Sequence, residues 1–234
     1  MIQSITISDC VGPYSQCVLK GDILQCIDHA KRLGYEGVEM HMRNAKLNDY
    51  HRIKEYADRL DIKVTGIGTG MACYADGHYL TNPDKMARKE AQQVLIDFLE
   101  AAHILGDTVV LFGLMKGPLP DPREREKYKD ILFESLQPVI EAAEKFGNDL
   151  TIEAINRFQA AYLWSADETL EFVERFDSKR ATIHLDTFHI NIEDKDMERA
   201  IRICKDRLGY FHVSDSDRAH PGHGHFDFKK CIEV

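Results

Sequence analysis

With 234 residues, 44% of them hydrophobic and 29% charged, the chain is long enough for one large α/β domain with a full core. A net charge of −9, His taken as neutral, argues against a nucleic-acid groove, which needs clustered Lys and Arg. No apolar run approaches the roughly 20 residues of a membrane helix, Met1-Ile2-Gln3-Ser4 has no signal-peptide character, and the six Cys are scattered without a CxxC pair, so the expectation is a cytoplasmic protein with reduced thiols and no membrane contact.

The first strand is expected at Ser4–Ser8 and a helix at 21–33, where Leu24, Ile27 and Ala30 share one stripe. Strands follow at Gly37–His41 and Lys63–Ile67. The next helix runs over 83–105, with Asn82 as N-cap, Pro83 in the first turn, and Ala91, Val94, Leu95, Phe98, Ala102 and Leu105 on one face. After a strand at Thr108–Phe112, Asp121-Pro122 opens a helix over 123–146. A strand at Leu150–Ala154 precedes Ser165-Ala166-Asp167-Glu168, a capping box for another helix. The last two strands are Ala181–Leu185 and Tyr210–Val213. Four helix-to-strand joins share an apolar residue and Gly: Leu33-Gly34, Leu105-Gly106, Phe146-Gly147 and Leu208-Gly209. Gly at such a join suits the left-handed residue that ends a helix.

Strands alternating with helices imply parallel strands with right-handed crossovers. With no linker and no shift in composition, residues 1–234 form one domain, an α/β barrel of the TIM (β/α)8 type whose active site lies at the strand C-termini. Such a barrel needs eight strands, and the sequence shows about seven before it stops at Val234, inside a helical run that begins at Phe228. The expectation is a barrel truncated before strand 8 and helix 8, with open edges that invite association into a homo-oligomer.

Three successive strands end in residues that bind metals. Glu153 closes Leu150-Thr151-Ile152, Asp186 follows Ala181–Leu185, and His212 closes Tyr210-Phe211. Two carboxylates and an imidazole aimed into one pocket suit a divalent ion of the Mn²⁺ type. A single strand-end Asp is more often a helix cap, so the repetition carries this reading. His189, three residues past Asp186, returns over the same pocket. Arg218 has two roles open to it: anchoring its loop through Asp215 or Asp217, or touching substrate. His220, His223 and His225 fit no zinc-finger spacing and read as solvated loop residues. Gly68-Thr69-Gly70 lacks the Lys of a phosphate loop and reads as a tight turn.

The runs Ile152-Glu153-Ala154-Ile155-Asn156-Arg157-Phe158, Leu185-Asp186-Thr187-Phe188-His189-Ile190-Asn191-Ile192-Glu193, Phe211-His212-Val213-Ser214-Asp215-Ser216-Asp217-Arg218 and Pro221-Gly222-His223-Gly224-His225-Phe226-Asp227-Phe228 resemble the D-tagatose 3-epimerase-like family of xylose-isomerase-like TIM barrels. Ile67-Gly68-Thr69-Gly70, Ala75-Asp76-Gly77 and Leu80-Thr81 look most like its L-5-ketogluconate epimerase branch. The resemblance implies a metal-dependent epimerase or isomerase of a ketose or keto-sugar acid, working by proton transfer beside the carbonyl through an enediolate. It implies Glu153, Asp186 and His212 as ligands to Mn²⁺, Co²⁺ or Mg²⁺, with Glu153 also a catalytic carboxylate. It implies His189 and Arg218 as contacts to substrate oxygens. The family's fourth ligand, a second catalytic glutamate on the eighth strand, lies past Val234. Gln159 stands where many members carry a substrate-contacting glutamate, so substrate identity departs from the common pattern there. Two competing readings are an endonuclease-IV-like zinc nuclease, which shares the Asp-x-x-His step but needs further His ligands and a basic surface, and a non-catalytic truncated barrel that serves as a binding subunit.

Overall fold

The structure is a computed structural model that describes residues 2–10, 17–106 and 108–233. Met1 and Val234, which entered the readings of the leading tetrapeptide and of the chain's end, lie outside them. One sheet of eight parallel strands holds the molecule, in the order β2-β1-β3-β4-β5-β6-β7-β8. The strands are β1 (Ser4–Ser8), β2 (Leu19–Lys20), β3 (Gly37–His41), β4 (Lys63–Gly68), β5 (Val109–Phe112), β6 (Leu150–Glu153), β7 (Ala181–Asp186) and β8 (Leu208–His212). Seven of them match the expected strands to within about two residues. The eighth, β2, is a two-residue pairing along the outer side of β1, too short to show a period in sequence.

The helices are α1 (Ile23–Arg32), α2 (Tyr50–Arg59), α3 (Gly70–Asp76), α4 (Lys85–Leu105), α5 (Arg125–Phe146), α6 (Ala166–Val173), α7 (Thr187–Glu193), α8 (Met197–Cys204) and α9 (Phe228–Ile232). Most cover the outer face of the sheet. On α4 the expected stripe is buried, with Ala91, Leu95, Phe98, Ala102 and Leu105 inside. Its start is later than expected. Asp84 is the N-cap, accepting from Met86 N at 2.8 Å, while Asn82 accepts from Asp84 N and so caps the cap. The turn expected at Gly68-Thr69-Gly70 instead opens α3. Ser165 caps α6, but the returning carboxylate of Glu168 takes Trp164 N rather than the cap's own amide.

Gly34, Gly106 and Gly147 have φ of +89°, +105° and +79°, as helix-ending glycines should. Gly209 does not. It lies inside β8, where a Cβ would collide with Thr182 Oγ1, so it is required for close approach to β7 and not for a left-handed turn.

The sheet curls until its late strands face its early ones. Tyr210 Oη on β8 is 2.8 Å from Thr65 Oγ1 on β4, which donates in turn to Ser4 Oγ on β1. Among the described residues β8 pairs with β7 alone. All five of its residues are partly exposed, whereas all six of β7 are buried. Parity decides which side chains enter the barrel. Thr182, His184 and Asp186 point inward from β7, Tyr210 and His212 from β8, and Glu39 and His41 from β3, while Ile183, Leu185 and Met40 join the core under the helices.

Candidate active site and metal centre

Glu153 stands at the C-terminal end of β6 with only 16% of its side chain exposed. Burial pushes its carboxyl up to about 7; His212, Lys116 and Arg218 pull the other way, and the neighbouring Asp186 adds to the rise. One oxygen lies 3.6 Å from His189 Nε2, the other 3.9 Å from His184 Nδ1. Ligand atoms of Glu153, Asp186 and His189 fall within 4.8 Å of one another, and so do those of Glu153, His184 and His212. Glu153 belongs to both groups, Asp186 to one and His212 to the other. His212 Nδ1 is 3.9 Å from Asp186 Oδ2, which joins the two groups into one cluster.

Asp186 is fully buried and has two tasks. Oδ1 caps α7 by accepting from Phe188 N at 2.8 Å, and Oδ2 accepts from Arg218 Nη1 at 2.6 Å. The cap and the inward-facing acid are therefore the same residue. The Arg218 guanidinium bypasses both carboxylates of its own loop, although its backbone amide donates to Asp215 O. Asp215 is taken by the amides of Ser216, Gly222 and Phe226, and Asp217 by His223. The guanidinium instead lies over the Phe188 ring at 4.3 Å, with Nη2 3.4 Å from His189 Nε2. Left-handed backbone at Arg218, φ +65°, turns the side chain back over the barrel.

Asn156 fixes the tautomer of His189. Its Oδ1 accepts from Phe158 N, so its amide nitrogen faces His189 Nδ1 at 2.7 Å and donates to it. Burial holds His189 down to about 4, hence neutral near pH 7, with its one proton on Nε2 toward Glu153. His189 is thereby a donor to an oxygen in the pocket and poorly suited to be a metal ligand.

Three residues of the site escaped the sequence reading. Glu39, on β3, accepts from His41 and from His212. His184 is fully buried, and neither ring nitrogen has a hydrogen-bond partner, a costly condition unless a bound group satisfies it. Lys116 is 1% exposed and donates to the backbone oxygen of Glu153 at 2.7 Å; burial drops its ammonium to about 8, against the pull of Glu153 and Glu168. Inward parity in β3 and β7 could have exposed the first two, whereas Lys116 ends a single 3-10 turn, Leu114–Lys116, too short to show a period. Gln159 is exposed and away from the cluster. It lines an adjoining cavity of about 420 Å³ with Cys73, Tyr74, Lys116, Gly117 and Phe158.

Two carboxylates, an imidazole with an available nitrogen, and a buried imidazole with no partner form a mixed oxygen and nitrogen donor set that fits a divalent cation. Arg218 and a cation would share Asp186 Oδ2.

The chain belongs to the xylose isomerase-like TIM barrel family, whose model matches residues 27–234. It is 25% identical to the 3-dehydro-D-guloside 4-epimerase of Escherichia coli strain K12, over 95% of this chain and 86% of that protein. To the L-ribulose 3-epimerase of Mesorhizobium japonicum it is 40% identical, over 76% of this chain and 64% of the relative. The fold matches that of a D-psicose 3-epimerase from Clostridium cellulolyticum H10, solved with D-tagatose, at a TM-score of 0.83 and 24% identity, covering 100% of this chain and 80% of that one. These names agree with the resemblance to the D-tagatose 3-epimerase-like group. No helix among the described residues is long and apolar enough to cross a membrane.

Proposed function

We propose that this carbohydrate epimerase acts on a ketose or keto-sugar acid, at the carbon beside the carbonyl, with Glu153 as the group that moves the proton on one face. The observation that carries the reading is the position of Glu153: at a strand end, buried, and within one cluster with Asp186, His189 and His212. A carboxylate held at the strand end can take a carbon-bound proton as general base and return it as general acid. His189, with its proton on Nε2, would donate to an oxygen of the substrate, and Arg218 would bring positive charge to the same place. The Lys116 ammonium holds the Glu153 backbone from behind and so fixes the height of the carboxylate in the barrel.

Glu153, Asp186 and His212 would hold a divalent cation, with manganese the first choice and cobalt or magnesium the others; when bound it supplies a Lewis acid for negative charge on the substrate's oxygens. Gln159 and the cavity beside it would receive the part of the sugar far from the carbonyl, where a neutral amide tolerates a carboxylate better than a glutamate does.

The epimerase names of the relatives, together with the net charge of −9, favour this reading over a nuclease. The buried acid–imidazole cluster favours it over a non-catalytic binding subunit. A panel of ketopentoses, ketohexoses and ketogluconates with Mn²⁺, product stereochemistry read by NMR, tests it. Exchange with solvent of the proton at the carbon beside the carbonyl of at least one ketose is expected. Cleavage of abasic DNA with no sugar turnover would overturn it.

A further inference from the structure

Glu39 is a carboxylate in the barrel interior, 2% exposed, on a strand that contributes nothing else to the cluster around Glu153. Buried carboxylates persist only where hydrogen bonds replace water. Here both oxygens are engaged by imidazoles: Oε1 lies 2.5 Å from His41 Nε2 and Oε2 lies 2.7 Å from His212 Nε2. An ionised carboxylate only accepts, so each of those ring nitrogens carries its proton toward Glu39. That leaves His212 Nδ1 as the ring atom on the opposite side, 3.9 Å from Asp186 Oδ2.

The row is packed between bare backbone and a buried ring. A Cβ at Gly68 would lie 2.5 Å from His41 Cε1 and Nδ1, so the His41 ring is seated against bare backbone. On the other side the His212 ring stands edge-on to His184, with centroids 4.1 Å apart and planes at 89°. His189 is set in the opposite sense. Its Nδ1 accepts from Asn156 and its Nε2 faces the pocket with a proton. Among these histidines His189 is held as a donor to the pocket, and His212, with Nε2 committed to Glu39, turns Nδ1 toward Asp186.

We propose that Glu39 is a positioning residue for the metal centre: by accepting the Nε2 proton of His212 it holds that ring with Nδ1 aimed at Glu153 and Asp186, as the nitrogen that binds the cation. Carboxylate partners of this kind fix tautomer and orientation in metal-bound histidines generally. Nothing in the sequence run around His212 announces the partner, which lies 173 residues away. The inference rests on the reading of Glu153, Asp186 and His212 as metal ligands, and its test separates the two.

Three forms of the chain are compared: wild type, Glu39→Gln and His212→Asn, with Mn²⁺ affinity measured by calorimetry. The ring-nitrogen state of His212 is read by long-range ¹H–¹⁵N correlation in the diamagnetic Mg²⁺ complex. In the wild type the His212 proton is expected on Nε2 alone. Glu39→Gln should weaken Mn²⁺ binding about 10- to 100-fold and, read the same way in the metal-free chain at alkaline pH, remove the strict Nε2 preference of His212. A purely structural role for Glu39 would change the melting temperature but not which nitrogen carries the proton. If Glu39→Gln does not fold, the wild-type spectrum still decides, because a proton on Nδ1 in the metal complex overturns the proposal. If His212→Asn loses the metal while Glu39→Gln keeps wild-type affinity and the Nε2 proton, the positioning role alone is wrong. If His212→Asn binds Mn²⁺ as tightly as wild type, the ligand assignment falls and the role of Glu39 falls with it.

Discussion

Asp186→Asn separates the two roles of that residue. Asparagine keeps an oxygen to accept from Phe188 N, so the cap on α7 survives. The other position becomes an amide N–H₂ facing the Arg218 guanidinium, a donor against a donor where a 2.6 Å charge-assisted bond stood. Breaking one side of a buried ion pair costs about 3–5 kcal/mol. Arg218 is 30% exposed, retains Ser214 Oγ at 3.2 Å and keeps the face of Phe188. Those contacts reduce the expected loss to about 2 kcal/mol in the metal-free chain. The same change removes a negative neighbour from Glu153, so its carboxyl should ionise at lower pH. Urea unfolding of Asp186→Asn, Arg218→Gln and the double variant gives the coupling directly, and about 1.5–3 kcal/mol is expected for groups in contact. A coupling near zero, or Mn²⁺ affinity unchanged in Asp186→Asn, would refute the assignment of Asp186 to both ion pair and metal.

Gly113→Ala should abolish epimerase activity, because its Cβ would collide with Glu153 Oε2, and should also lower stability, because φ −119° with ψ −89° lies outside the regions open to an L residue; steady-state kinetics beside a melting curve checks this. Gln159→Glu should lower activity on ketogluconates relative to neutral ketoses, and an unchanged ranking across the panel would take Gln159 out of the substrate's reach. Asp194 is raised to about 6 by burial, then by Asp167 and Glu193, and its Oδ2 has no hydrogen-bond partner. Since its folded value lies above the ordinary 3.8, its contribution is fully present below about pH 4 and is lost as pH rises through 6. Asp194→Asn should therefore be more stable than wild type at pH 8 by about 1–2 kcal/mol, after discounting for partial exposure, with the gain absent below about pH 4.

Strand ends were legible because apolar β-branched runs stop abruptly at Glu153, Asp186 and His212, and the structure brings those residues into one cluster. Partners across the barrel were not legible. Glu39 sits in Gly37-Val38-Glu39-Met40-His41, where alternation alone does not say whether the polar face meets water or a barrel interior. His184 shares the parity of Asp186, yet an imidazole in a buried strand is ordinary until both nitrogens prove unpaired. For Arg218 the sequence leaves open a pairing with its neighbours Asp215 or Asp217 beside a substrate contact. The loop instead consumes Asp215 in backbone amides and sends the guanidinium to Asp186. Gly209 was misread because the Leu-Gly join looks the same at a helix end and inside a strand; only the approach of Thr182 tells them apart.

The central claim is that Glu153 moves the proton beside the carbonyl, and hydrogen exchange tests it most directly because it requires one face of the reaction only. The chain with Mn²⁺ is incubated with a ketose in D₂O, and deuterium at the carbon beside the carbonyl is followed by NMR. Wild type should incorporate deuterium steadily, and Glu153→Gln should slow it by about 10²–10⁴-fold, the usual worth of a general base. Exchange by Glu153→Gln within a few-fold of wild type, with metal still bound, would contradict the account.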